Sequence, residues 1–350
     1  MDVVILAGAF VVILIGAELF TNGIEWVGHK LNLAEGAVGS VLAAVGTALP
    51  ETTIPLIAIL VGGTEAANEV GVGAILGAPF MLSTLAMLVT GIAVLVVARR
   101  RTTQDVMLVN TQVLAADMRY FAVAYVIALA AAFLPADLGW PRWIVALVLL
   151  GIYAYYVRMH FKEEAAASSS DDLAPLRLQR LDRKAPADLE TPRLRIVYFQ
   201  VVLALACIIL GAYAFVGAVE RLAHALGFGE ALLALIIAPI ATELPEKFNS
   251  VIWVRQGKDT LAMGNITGAM VFQSTIPTVV ALAFASEHWA ITQDTLLVFG
   301  SALIAFASSA AIFLPMAWSG RLRGRGLLVG GAFYVLYLGA VVRSLATGGT

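Results

Sequence analysis

Charge is scarce in this chain of 350 residues: 13% are Asp, Glu, Lys or Arg, against 60% hydrophobic, and the mean hydropathy is +0.89. A soluble domain carries about 25% charged residues, so a soluble fold is excluded and a polytopic membrane protein remains. Cysteine is almost absent; Cys207 alone excludes an internal disulfide framework. The histidines, His29, His160, His224 and His288, fall near the edges of apolar runs without ligand spacing, which argues against zinc. No Gly-x-x-x-x-Gly-Lys-Ser/Thr loop occurs, so ATP is not the expected energy source. No basic segment precedes the first apolar run. It follows Asp2, continues past signal-peptide length without a cleavage site, and reads as a first membrane helix. The net charge of −2 says little about partners. The lipid bilayer is expected as one, nucleic acid and bound cofactors are not, and the oligomeric state is left open.

Apolar runs long enough to span about 30 Å cover 3–27, 36–61, 70–98, 119–135, 141–158, 195–218, 228–254, 260–285, 293–316 and 325–346. The expectation is an all-α membrane protein of ten transmembrane helices. Lys and Arg accumulate in cytoplasmic loops. With the N-terminus outside, all of the 22 except Arg142, Arg221, Arg343 and Lys247 fall on the cytoplasmic side; Arg119 is counted there in a loop. Both termini are then outside and the central loop inside, in a bacterial or archaeal cytoplasmic membrane. Residues 159–194, with Ser168-Ser169-Ser170, Asp171, Asp172, several prolines and mixed charge, lack the apolar content for a core and read as a disordered cytoplasmic linker. It separates five helices in 1–158 from five in 195–350.

The halves repeat. A shift of 195 places Thr47, Leu49, Pro50 and Glu51 on Thr242, Leu244, Pro245 and Glu246, and Glu25, His29 and Glu35 on Glu220, His224 and Glu230. A shift of 191 places Gly73, Gly77, Ala78, Ser83 and Thr84 on Gly264, Gly268, Ala269, Ser274 and Thr275. Five helices per half make the repeats inverted in topology, an architecture of secondary transporters whose sites lie where interrupted helices meet.

The chemistry concentrates in the repeated Thr-x-Leu-Pro-Glu. A carboxylate in mid-membrane costs about 3 kcal/mol on insertion scales and persists where a cavity, partner or cation stabilises it. Proline has no N–H and leaves a carbonyl about one turn back, near Gly46 or Ala241, without its helical donor. Glu51, Glu246, Thr47, Thr242 and the carbonyls of Gly46 and Ala241 thus offer hard oxygens suited to Na⁺ or Ca²⁺. The competing reading, a structural ion pair, is weakened for Glu51 because its helix contains no basic residue. Glu243 divides evenly between a ligand role and a salt bridge to Lys247 at i,i+4. Gln273 is a ligand candidate beside interhelical hydrogen bonding, and Asn265 reads first as packing or capping. Ser83, Thr84, Ser274 and Thr275 can back-bond to their own helices. Glu18 and Asn22 either line an access path or bond to a neighbouring helix. Glu25, Glu35, Glu220 and Glu230 lie near helix ends, where a solvated charge needs no function.

At these residues the chain resembles the cation/calcium antiporter superfamily, the sodium/calcium exchangers, in particular the prokaryotic members. The resemblance covers both halves and implies Glu51 and Glu246 as central ligands for Ca²⁺ and shared Na⁺ sites, with Thr47 and Thr242 completing the shell. Where the family has Ser after Thr, this chain has Ala48 and Glu243. Gly264-Asn265 retains the family's Gly-Asn, whereas the first half has Gly73-Ala74. Ala78 and Ala269 replace small polar residues, and Leu82 and Gln273 stand at amide-or-acid positions.

The expected function is antiport of Ca²⁺ or a related cation against Na⁺ or H⁺ by alternating access. The departures point to weaker dependence on Na⁺ and to use of H⁺, with Glu243 as the proton-sensitive residue; a cation/proton antiporter of altered selectivity is the alternative. From another class come a membrane-embedded hydrolase using the Glu residues as acid and base, for which no His lies near the carboxylates, and a channel.

Overall fold

The structure, a computed structural model, describes residues 2–61, 65–134, 139–162, 173–181, 192–225, 243–292 and 295–346. Among these, eight helices are long and apolar enough to cross a bilayer: Asp2–Lys30, Gly71–Arg100, Thr111–Phe133, Trp140–Lys162, Leu194–Phe215, Asp259–Phe284, Leu296–Ser319 and Gly324–Arg343. The expected run 36–61 is interrupted, and 228–254 lies outside the described residues before Glu243.

The helices are α1 (Asp2–Lys30), α2 (Ala44–Thr47), α3 (Leu49–Val61), α4 (Glu65–Met81), α5 (Met87–Val97), α6 (Thr111–Ala130), α7 (Gly139–Lys162), α8 (Leu194–Ala225), α9 (Leu244–Arg255), α10 (Asp259–Phe284), α11 (Leu296–Ser319), α12 (Gly324–Leu327) and α13 (Val329–Ala346). A π-helical segment, Ala37–Ala43, leads into α2, and another, Leu82–Ala86, joins α4 to α5. Such wide turns inside a helix recur at functional sites. Besides the helices, two-residue strands β1 (Val106–Met107) and β2 (Leu322–Arg323) pair antiparallel.

Helix α10 is the hub. Its apolar window is 78% buried, against 22% for the Trp140–Lys162 span, and it packs on α2, α3, α4, α6, α7, α9 and the first π segment. Small residues let it approach closely. A Cβ added to Gly268 would lie 2.0 Å from the Ser40 carbonyl oxygen. Helices α1 and α8 lie along each other, with Gly16 against Ala204 and Ile208 and Gly23 against Val201. Helix α11 stops at Gly320, whose left-handed φ of 64° suits a residue without Cβ.

Several expectations change. Helix α6 starts at Thr111, not 119, because Asn110 caps it by accepting from the backbone N–H groups of Gln112 and Val113. Arg119 therefore lies on the exposed face of a helix, bonded to Ala115 O at 3.2 Å, and not in a loop. Within the stretch read as a disordered linker, residues 173–181 are ordered and docked on α1 and α8. Leu176 is buried, and the carbonyls of Ala174 and Pro175 accept from Asn22 Nδ2 and, for Ala174, Trp26 Nε1. Asn22 also accepts from Arg177 N and Gln200 Nε2, and Glu18 pairs with Arg177 at 2.7 Å. Asn22 and Glu18 thus bind this docked segment. Glu25 is no solvated end charge: it is buried, accepts from Trp253 Nε1 at 2.7 Å and pairs with Lys258, tying α1 to the end of α9.

Candidate functional site

Thr47 ends α2, Ala48 turns at φ −78°, ψ 0°, and the chain restarts at Leu49. Glu243 turns at φ −88°, ψ 11°, and α9 restarts at Leu244. Both restarts are Leu-Pro-Glu, so Glu51 and Glu246 occupy the first turn of their half-helices. There the unbonded N–H groups and the positive helix end partly offset a carboxylate's charge. Pro50 and Pro245 fit these restarts because their missing N–H groups fall where no intrahelical bond is made.

The two carboxyl groups are electrostatic neighbours, with Glu243 adding a third negative charge nearby. Glu246 is fully buried, and neither carboxylate oxygen has a hydrogen-bond partner among the described residues. Glu51, half-buried, accepts from Gln273 Nε2 at 3.0 Å through Oε1. Among the described residues its Oε2 is buried without a partner, as are Thr52 Oγ1 and both side-chain polar atoms of Asn249. Asn249 lies three residues after Glu246 on α9, within the same helical turn. Orphaned polar atoms are rare in a folded interior. Here they gather around two carboxylates.

Helix α10 closes the cluster. Thr47 Oγ1 lies 3.1 Å from Asn265 Oδ1, and Asn265 Nδ2 donates to Glu246 O at 3.3 Å. Asn265 therefore bridges the two interrupted segments, a larger role than packing or capping. Thr47 Oγ1 also lies 3.1 Å from Ala43 O. Gly46 is placed at the interruption with its neighbour Thr47; Ala241 and Thr242 lie outside the described residues. Glu243 is buried and accepts from Lys247 Nζ at 2.9 Å, the geometry of the i,i+4 pair.

Ser83 and Thr84 bond to Phe80 O, and Ser274 and Thr275 to Val271 O, as the local reading allowed. Among the described residues no three His, Cys, Asp or Glu side chains converge closely enough to hold a metal ion alone. A cation here needs further oxygens from Thr, Asn, Gln or the backbone.

A second buried cluster escaped the sequence reading. Asp117, on α6 and fully buried, accepts from Ser40 Oγ at 2.8 Å, Thr267 Oγ1 at 2.5 Å and Tyr156 OH at 3.0 Å, and lies 3.0 Å from His160 Nε2. His160 is thus a buried interhelical partner although it lies near the end of α7. The only sequence signal was an Asp two residues before the apolar run 119–135. Ser40 precedes Thr47 by two turns, and Thr267 follows Asn265 by two residues, so Asp117 holds together the backbones that present the cluster around Glu246. Hydrogen bonds to a charged group contribute about 1.5–3 kcal/mol each. Asp117→Asn is accordingly expected to lower unfolding free energy by about 2–3 kcal/mol and to weaken cation binding, as measured by thermal melting with and without added cation.

A family model described as sodium/calcium exchanger protein matches residues 1–162 and 196–346. A protein of Alkalimonas amylolytica described as an antiporter, CaxA, is 25% identical over 262 residues, covering 75% of this chain and 74% of its own. The sodium/calcium exchanger MaX1 of Methanosarcina acetivorans is 23% identical over 346 residues, covering 92% and 93%. Among solved structures, the sodium-calcium exchanger NCX_Mj soaked with 2.5 mM Na⁺ and 0.1 mM Ca²⁺ superposes with a TM-score of 0.72 at 16% identity, covering 97% of each chain. The same protein soaked without Na⁺ and Ca²⁺ gives 0.71 at 17% identity, covering 97% of this chain and 98% of its own. The apolar spans, the paired Leu-Pro-Glu restarts and a family match across both halves lead to one conclusion: the chain is an integral membrane protein belonging to the sodium/calcium exchanger family of cation antiporters.

Proposed function

We propose that the chain exchanges Ca²⁺ or a related divalent cation against Na⁺ or H⁺ by alternating access, with Glu51 and Glu246 as the central ligands. The observation that carries this reading is Glu246, whose two carboxylate oxygens are buried without a partner among the described residues and have a second carboxylate as electrostatic neighbour. An uncompensated charge there costs several kcal/mol, and a cation removes that cost. Thr47, Gln273 and the carbonyl of Gly46 supply neutral oxygens, and Ala241 and Thr242 are their counterparts in the other half. With Glu51, Glu243 and Glu246 ionised and Lys247 protonated, the cluster holds a surplus of two negative charges. One divalent or two monovalent cations balance it, and crossing the membrane empty is disfavoured, which makes transport an exchange.

The Glu243–Lys247 contact supports the salt-bridge reading of Glu243 over a ligand or proton-carrying role. The architecture is ten helices in two inverted repeats, 1–158 and 195–350. Two local matches support it: the restarts at Leu49 and Leu244 are 195 residues apart, and the hydroxyl acceptors Phe80 and Val271 are 191 apart. The segregation of Lys and Arg supports termini outside and the central loop in the cytoplasm of a bacterium or archaeon. The hydrolase reading has nothing comparable, since the matched relatives are described as antiporters and exchangers.

The test is ⁴⁵Ca²⁺ uptake into proteoliposomes with a Na⁺ or H⁺ gradient imposed in turn. Uptake is expected only when a counter-cation is present on the other side; uptake without one would mean a channel and sink the proposal. Glu243→Gln is expected to leave the choice of counter-ion unchanged. Flux driven by a pH gradient in Na⁺-free liposomes and lost in Glu243→Gln would instead make Glu243 the proton carrier.

A further inference from the structure

Helix α5 and its 3₁₀ extension Ala98–Arg100 meet the C-terminal half of α9 along a cleft of about 470 Å³. Val89, Ile92, Ala93, Val96, Val97 and Val251 line it, and Arg100 and Arg255 complete the lining. Among the described residues no carboxylate lines it. Two neighbouring cations are paired: Arg101 with Asp259, and Lys258 with Glu25; Arg99 is exposed and does not line the cleft. Arg100 and Arg255 are exposed and make no ion pair or hydrogen bond with any described residue.

From Val89 to Arg100 the helix advances about 16 Å at 1.5 Å per residue. That is about half of a 30 Å hydrocarbon core, the depth of one leaflet. An apolar slot one leaflet deep, ending at two guanidinium groups without an ion-pair partner among the described residues, has the shape and polarity of one lipid molecule. Guanidinium groups bind phosphate oxygens by paired N–H bonds, and basic pockets between membrane helices hold anionic headgroups. A zwitterionic headgroup would bring its own cation against the two arginines.

We propose that this cleft is a binding site for one anionic glycerophospholipid, an acyl chain lying along Val89–Val97 and the phosphate held between Arg100 and Arg255. Because Arg255 ends the helix that begins beside Glu246, the bound lipid braces α9 against α5.

The test uses the full-length, delipidated protein in a neutral detergent, titrated with phosphatidylglycerol or phosphatidylcholine while thermal melting is followed and bound lipid is counted by native mass spectrometry. Phosphatidylglycerol is expected to raise the melting temperature and to be retained as one molecule; phosphatidylcholine and inorganic phosphate are not. Arg100→Gln with Arg255→Gln is expected to weaken phosphatidylglycerol binding about 30-fold, the fold-change that corresponds to about 1 kcal/mol of attraction per basic residue near a lipid surface. Val96→Trp keeps both charges, projects from an exposed position and is expected to block the chain and abolish the rise. Arg321→Gln with Arg323→Gln removes two exposed arginines outside the cleft and is expected to change nothing. Equal stabilisation by phosphatidylcholine, an undiminished rise in the Arg100/Arg255 variant, or an equal loss in the Arg321/Arg323 variant each overturns the proposal.

Discussion

Glu246→Gln is expected to reduce Ca²⁺ exchange in proteoliposomes to the rate of protein-free vesicles while the purified protein remains folded, and Glu51→Gln to do the same. The amide matches the carboxylate in size, so the packing of α9 and α10 around a fully buried side chain is undisturbed. What disappears is the charge. Removing a buried, unpaired carboxylate relieves a desolvation cost, so Glu246→Gln should melt at or above the wild-type temperature without cation and lose the rise that added Ca²⁺ produces. In Glu51→Gln the amide oxygen still accepts from Gln273 Nε2, which lies 3.0 Å from Glu51 Oε1, but the bond loses its charge assistance, so a small loss of stability accompanies the loss of exchange. Wild-type flux in either variant would remove these residues from the site.

The second large effect is expected at Gly268. A methyl group there would meet the Ser40 carbonyl oxygen at 2.0 Å and its carbonyl carbon at 2.5 Å, distances that no rotamer relieves because both partners are backbone. Helix α10 would have to withdraw from the first π segment, breaking the contacts of Asp117 with Ser40 and Thr267 and the approach of Thr47 to Asn265. Overpacking alone costs about 1–3 kcal/mol, and the lost hydrogen bonds add to it. Gly268→Val is therefore expected to yield little folded protein, and Gly268→Ala to melt lower with weakened cation affinity. Gly77, its counterpart under the 191-residue shift, has nothing within 4 Å of an added Cβ among the described residues. Gly77→Ala is the matched control, and an effect as large there would show that the close approach is not the cause.

Glu25 and Lys247 show how local patterns mislead in opposite ways. Glu25 looks like a solvated helix end because His29 and Lys30 follow within five positions, yet α9 and Lys258 fold over it. Lys247 and Glu243 are four apart on paper with a proline between them, so spacing alone could not decide whether they pair. The restart of α9 at Leu244 places Pro245 in the first turn, where it breaks no hydrogen bond, and the pair forms across it.

The sequence by itself determined the membrane setting, most of the spans, the repeated Thr-x-Leu-Pro-Glu and the resemblance to the exchangers. Hydropathy is additive along a window, and the cost of a carboxylate in lipid belongs to the residue wherever the helix packs. Only the tertiary structure decided which polar atoms meet. Thr47 and Asn265, Asp117 and Thr267, and Glu51 and Gln273 come together from distant parts of the chain, and no periodicity encodes such pairings. They follow from the close approach of α10 to the interrupted segments. A polar group buried by that approach must bond to whatever faces it or, as at Glu246, remain without a partner among the described residues.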